Sequence, residues 1–197
     1  MSDPEPVPAD AAWVVIETPL APGDLAAFCG DLERLYRINP YLEFGLWRVT
    51  APGAFAVAFR NLSNQREFKL QMALERTSAS TFTVRYDRGV KRSTRFKIEP
   101  AATGSRLRIT DDYHGTAAAD TGEVDKSLHA WGVALRDYLL RERRWGWCGP
   151  WRWYMRRVWV PMKPSARRIT FIILMVTLAE IALIALVLAI YWIEHHR

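Results

Sequence analysis

The stretch FKLQMALE, residues 68–75, sets Phe68, Leu70, Met72 and Leu74 against Lys69, Gln71, Ala73 and Glu75. Side chains alternate between faces along a strand, so this is a β-strand with one covered and one wet face. The same period runs outward from it. Residues 54–62 alternate Phe55, Val57 and Phe59 with small residues, and Phe82, Val84 and Tyr86 alternate with Thr83, Arg85 and Asp87 as far as Arg88-Gly89. Phe96 and Ile98 share a face in the next strand, and residues 106–113, with Leu107 and Ile109, form the last. Residues 42–50 add a strand at the front. The turn signals Ala51-Pro52-Gly53, Ser63-Asn64 and residues 101–104 separate these runs. The pattern predicts an antiparallel meander of six strands.

Helical periods flank the meander. Residues 13–18 (WVVIET) read as a strand, followed by a helical segment over residues 22–38 carried by Leu25, Phe28, Leu32 and Leu35. Asn39-Pro40 stops that segment, and Gly30 inside it predicts two short helices meeting at an angle. After the meander, Asp120 and Glu123 stand three apart, as in a capping box. Val124, Leu128, Trp131, Leu135, Tyr138 and Leu139 then form one apolar stripe on a long helix. A meander of this length can curl around that helix and leave a hollow between them. Residues 1–12, with three prolines and no period, read as a disordered lead-in.

Residues 169–193 are a run of twenty-five broken by one charge, Glu180. About 20 apolar residues cross a bilayer core of roughly 30 Å, so the run is expected to be a transmembrane helix, with Ser165 as its N-cap. Residues 141–168 carry nine basic residues and one acid, whereas only Glu194, His195, His196 and Arg197 follow the span. By the bias of basic residues toward the cytoplasm, the expected arrangement is a cytoplasmic N-terminal domain with the C-terminus across the membrane, as in a bacterial inner membrane. The net charge of +6 is therefore a collar beside the bilayer, suited to anionic headgroups, and does not point to nucleic acid. Two cysteines, Cys29 and Cys148, are too few for a disulfide framework.

Five of the nine tryptophans lie within residues 145–159: Trp145, Trp147, Trp151, Trp153 and Trp159. Trp151, Tyr154, Met155, Val158 and Trp159 recur at helical spacing, with Arg152, Arg156 and Arg157 on other faces. Tryptophan favours the headgroup level, so a short helix lying in the membrane plane is expected there, the alternative being a helix packed on the domain itself. The predicted organisation is a lead-in (1–12), a globular domain (13–144), a Trp/Arg-rich juxtamembrane segment (145–168), the span (169–193) and a tail (194–197).

The element order, together with LERLYRINP (residues 32–40) running from helix into strand, resembles the START-like or SRPBCC superfamily, the helix-grip fold of the birch-pollen allergen. That resemblance implies an α+β fold with a curved antiparallel sheet wrapped around a long C-terminal helix. It also implies an apolar cavity for lipids, sterols, quinones or polyketides. The inward wall is expected to be Phe55, Val57, Phe59, Phe68, Leu70, Met72, Leu74, Phe82, Val84, Tyr86, Phe96, Ile98, Leu107 and Ile109, closed by Trp131 and Leu135. The same residues would also describe a dry core.

By strand parity Asp111 and Tyr113 should face inward and Asp112 and His114 outward. Asp111 would then meet Tyr86 or an arginine at the cavity mouth, or else be solvated at a strand end. Arg85, Arg88, Lys91, Arg92 and Arg95 flank one hairpin and read as a solvated face. His114, His129, His195 and His196 are scattered, and neither a nucleophile constellation nor a cofactor loop is evident, so no cofactor, metal or catalytic residue is assigned. The expected function is membrane-tethered binding or transfer of a hydrophobic ligand. The alternatives are a polyketide cyclase/aromatase-like enzyme and a membrane scaffold. Glu180 in the span predicts a lateral membrane partner or a homo-oligomer.

Overall fold

β-Branched and aromatic residues in alternation put strands where the period-2 pattern lies. The computed structural model describes residues 11–115 and 127–195. β1 (Ala11–Thr18) is followed by α1 (Pro22–Cys29) and α2 (Leu32–Arg37), then β2 (Leu42–Ala51), β3 (Ala54–Asn61), β4 (Arg66–Arg76), β5 (Thr81–Tyr86), β6 (Ser93–Ala101) and β7 (Gly104–Asp112). α3 (Ser127–Trp145) and α4 (Gly149–Tyr154) come next, then a π-helical turn (Met155–Trp159) and α5 (Pro164–His195). The capping box expected at Asp120 and Glu123 lies outside the described residues, as do residues 1–10 of the expected lead-in. β1 begins two residues before the expected domain start at 13.

All seven strands form one antiparallel sheet in the order β1-β7-β6-β5-β4-β3-β2. The meander accounts for six of them, and β1 pairs with the last, Ala12 opposite Asp111 and Ile16 opposite Leu107. The β6–β7 hairpin pairs Ala101 with Gly104, and Gly104 takes φ +130°, open only to glycine. β2 is an edge strand whose register shifts twice, at Phe44/Leu46 and at Val49/Ala51.

The covered face of the sheet and the stripe of α3 bury one core, with Val84, Phe96, Leu107, Ile109, Leu135 and Leu139 fully enclosed. α3 crosses β1 so closely that a Cβ on Gly132 would stand 2.7 Å from Val14 Cγ2. α2 is tied to α3 by polar bonds inside apolar surroundings. Arg34, almost fully buried, donates from Nε and Nη2 to the Tyr138 hydroxyl at 2.9 and 2.6 Å, and reaches Glu142 at 3.0 Å. The Trp131 indole N–H donates to the Leu35 carbonyl at 3.0 Å. Cys29 sits in the same core, where burial pushes its thiol up to about 12.

The chain divides into two units, Met1–Pro161 and Met162–Arg197. Residues 145–161, expected as a segment apart, thus belong with the domain. The face expected to lie in a membrane plane also needs correction. Met155 and Val160 are buried in the domain core, and Trp151, Tyr154 and Trp159 pack on it. Trp159 meets the Tyr138 ring at 5.7 Å between centroids. The π turn explains how: the Val160 N–H donates to the Met155 carbonyl at 2.9 Å, and that five-residue step places both side chains on one side of the turn. Trp145, Trp147 and Trp153 remain exposed, as do Arg152, Arg156 and Arg157.

The second unit is dominated by α5, 32 residues long and apolar enough to cross a membrane by length and composition. It begins at Pro164, one residue before the expected cap Ser165. The Arg167 N–H bonds the Lys163 carbonyl at 3.1 Å, so Lys163 occupies the cap position and proline the first helical position it suits.

Candidate functional site

Parity along β7 puts Leu107, Ile109, Asp111 and Tyr113 on the covered side, and all four are buried. Asp111 is a charged group with no exposure at all, so it needs partners. Lys91, from the β5–β6 turn, supplies the countercharge at 2.7 Å from Oδ2. Thr94 lies directly opposite Asp111 in the β6–β7 register and donates its hydroxyl to Oδ1 at 2.5 Å. The chain of hydroxyls continues: Thr94 Oγ1 is 2.7 Å from Tyr86 Oη, which is 2.6 Å from Tyr36 Oη. Tyr113 adds a longer bond, 3.5 Å, to Asp111 Oδ2. Burial raises both phenols, and the Asp111 charge reinforces it at Tyr86. Tyr86 is pushed up to about 12, and Tyr36 lies well above the ordinary phenol range.

This polar chain borders a pocket of about 80 Å³. Tyr36 enters from α2, Asn39 follows it, and Leu42 and Phe44 come from β2. Phe59, Phe68, Leu70 and Met72 form the sheet wall, Trp131 the helix wall, and Tyr86 and Tyr113 the polar corner. Asn61 and Asn64 at the β3–β4 turn, with Arg88, Gly89, Val90 and Lys91 at the β5–β6 turn, complete the lining. Aromatic contacts stiffen it: Phe59 and Phe68 stack at 5.3 Å, and Tyr36 meets Trp131 at 5.1 Å and Trp47 at 6.1 Å. Among the described residues no group of three His, Cys, Asp or Glu side chains gathers as metal ligands would.

Three solved structures share the backbone fold that carries this site. One described as a START superfamily protein from Mycobacterium smegmatis matches at a TM-score of 0.55 and 14% identity, covering 66% of this chain and 97% of that one. The chain has the START-like, helix-grip fold. A second M. smegmatis protein matches at 0.51 and 10% identity, over 70% of this chain and 95% of its own. A protein from Nitrosomonas europaea matches at 0.50 and 12%, over 70% and 99%. No protein-family model and no curated protein matches the chain in sequence.

Within the START-like domain the expected cavity wall divides in two. Phe59, Phe68, Leu70, Met72, Tyr86, Tyr113 and Trp131 do line the pocket. Val57, Phe82, Val84, Phe96, Ile98, Leu107, Ile109 and Leu135 instead pack on one another as dry core, and Phe55 and Leu74 lie half-buried against it. The reason is visible in the rings: Phe82 and Phe96 stack at 4.7 Å, and Phe96 meets Trp131 edge-on at 5.9 Å, filling that end of the hollow. Asp111 is placed behind the pocket rather than at its mouth, and meets Tyr86 through Thr94 rather than directly.

Of the hairpin cations, Arg85 and Arg95 are exposed on the outer face, where Arg85 pairs with Glu75 at 2.7 Å. Arg92 is exposed too, and Arg88 pairs with Asp87 at 2.9 Å. Lys91 alone among these five pairs with the buried Asp111. Sequence reasoning missed Tyr36, Asn39, Leu42, Phe44, Asn61, Asn64 and Lys91. A signal existed for the core of the polar chain: the short turn at residues 102–103 fixes the hairpin register, and that register alone sets Thr94 opposite Asp111.

Proposed function

We propose that this chain binds a hydrophobic small molecule, of lipid or isoprenoid type, in the pocket of its START-like domain, and handles it at the cytoplasmic leaflet to which α5 anchors it. The observation that carries this reading is the apolar pocket with one built polar corner, Tyr36–Tyr86–Thr94–Asp111. Specific small-molecule sites combine mostly apolar walls with a few convergent polar groups. At about 80 Å³ the pocket is smaller than the roughly 300 Å³ of sites that enclose a drug-sized ligand. An extended ligand would therefore insert one end and leave the rest in the mouth between the β3–β4 and β5–β6 turns.

The anchoring part of the proposal rests on the composition of α5 and on the exposed Trp145, Trp147 and Trp153 among Arg141, Arg144, Arg152 and Arg157. Tryptophan and arginine together suit the headgroup layer of an anionic membrane surface. In sealed inside-out vesicles of a bacterial inner membrane a tag at the C-terminus should be shielded while protease reaches the N-terminal domain; the reverse pattern would overturn the topology. Glu180 would bring a second chain or another membrane protein alongside, since a carboxyl in a bilayer favours a partner. Glu180→Leu should then reduce the oligomer size in detergent, and an unchanged size counts against it.

Mass spectrometry of organic extracts from the purified protein tests the main reading. A co-purified lipid or quinone is the expected result. A cyclised polyketide-type product would replace carriage with catalysis, and an extract identical to that of an unrelated membrane protein would overturn both.

A further inference from the structure

The directions of the hydroxyl protons along Tyr36–Tyr86–Thr94–Asp111 follow from the carboxylate at its end. Asp111 pairs with the Lys91 ammonium at 2.7 Å, and a carboxylate in such a pair only accepts. The single hydroxyl proton of Thr94 therefore goes to Asp111 Oδ1. Thr94 Oγ1 can then meet Tyr86 only as acceptor, so the Tyr86 proton points to Thr94. By the same step the Tyr36 proton points to Tyr86, at 2.6 Å. Tyr113 likewise donates to Asp111. All these protons run away from the pocket and toward one buried charge. Two further donors on the inner wall are engaged elsewhere: the Trp131 indole N–H donates to the Leu35 carbonyl, and the buried Asn39 amide donates to the Ser127 hydroxyl at 3.4 Å.

We infer that the tyrosine corner of this pocket presents oxygen lone pairs and no free proton, so that it selects hydrophobic ligands whose inserted end carries a hydrogen-bond donor, such as an alcohol or a phenol, over those ending in a carbonyl or an ether. The inference rests on the binding reading above and narrows its ligand class. A carbonyl placed against Tyr36 and Tyr86 would face oxygen with oxygen. A hydroxyl placed there completes the relay, becoming its outermost donor. Of the other donors in the lining, the amides of Asn61 and Asn64 and the cation Arg88 belong to the two turns at the mouth, and the Lys91 ammonium is held by Asp111 at 2.7 Å.

The test compares naphthol, methoxynaphthalene and acetylnaphthalene for binding to the full chain in nanodiscs, with empty nanodiscs subtracted. Wild type should bind naphthol roughly threefold to tenfold more tightly than the other two, the span expected for one net hydrogen bond. Equal binding of all three, or preference for the ketone, overturns the inference and leaves the binding reading standing. Absence of binding by all three overturns the reading beneath it.

Thr94→Val supplies the specific control. It keeps the shape and removes the acceptor for the Tyr86 proton, leaving the tyrosine pair with one proton to offer. The preference should then move toward acetylnaphthalene, and Thr94→Ser should restore the wild-type order. A Thr94→Val protein with the wild-type order of affinities would overturn the proton assignment. The wild-type comparison needs no variant and stands even if Thr94→Val does not fold.

Discussion

Asp111 governs its neighbourhood because a carboxylate without solvent exposure must gather partners, and here they come from β6, from the β5–β6 turn and from Tyr113. Tyr86 feels the consequence most directly. Its proton is held more tightly in the fold than in the unfolded chain, where a phenol titrates near 10, and the folded value is about 12. Such a group stabilises the fold fully below pH 10, and the contribution fades as pH rises toward about 12. Chemical denaturation at stepped pH should show stability falling across that window, with a shallower fall in Tyr86→Phe; an identical slope in both proteins would contradict the assignment. Cys29 titrates in the same sense and contributes equally to both. At this scale the sequence is only partly legible. The parity of Asp111 and Tyr113 follows from Leu107 and Ile109, and the structure agrees. Lys91 could not be told from its four cationic neighbours, because its partner lies twenty positions away and turn geometry decides which cation points inward.

The elements were the most readable level, since strand and helix periods are local. FKLQMALE is a strand with Leu70 and Met72 buried and Lys69 and Gln71 exposed, as its alternation requires. The segment after α3 shows where a local period stops being informative. Trp151, Tyr154, Met155 and Trp159 form an apolar stripe under either reading, and periodicity says only that the stripe needs cover. The domain provides it, through Tyr138 and the core around Met155. The α3–β1 crossing carries a sharper constraint. Gly132→Ala would drive a methyl into Val14, a short branched side chain with little room to move. The variant should lose about 1–3 kcal/mol in equilibrium denaturation, the usual cost of overpacking, whereas unchanged stability would mean the helix can back away from the sheet freely.

At the level of the whole molecule the division at Pro161 makes a prediction that the sequence alone would have placed elsewhere. A chain ended after Pro161 keeps Met155 and Val160 in the core and should fold and melt cooperatively. A chain ended after Arg144, the domain boundary read from composition, removes both, together with Trp151 and Trp159. Its melting temperature should fall by roughly 10 °C, given about 2–4 kcal/mol for losing one buried side chain such as Met155. Equal melting of the two would return residues 145–161 to the status of a separate segment. The sheet, meanwhile, is open, with β1 and β2 as its two edges. β2 slips register twice within ten residues, so the unpaired groups on its outer side do not form an even ladder. Proteins tethered to a bilayer share a thin layer and collide far more often than the same number of molecules in bulk water. An edge with broken spacing is poor at templating a neighbour's strand, so under the anchoring proposed above, crowding in two dimensions would leave these domains separate even where their Val49 and Leu46 side chains are exposed.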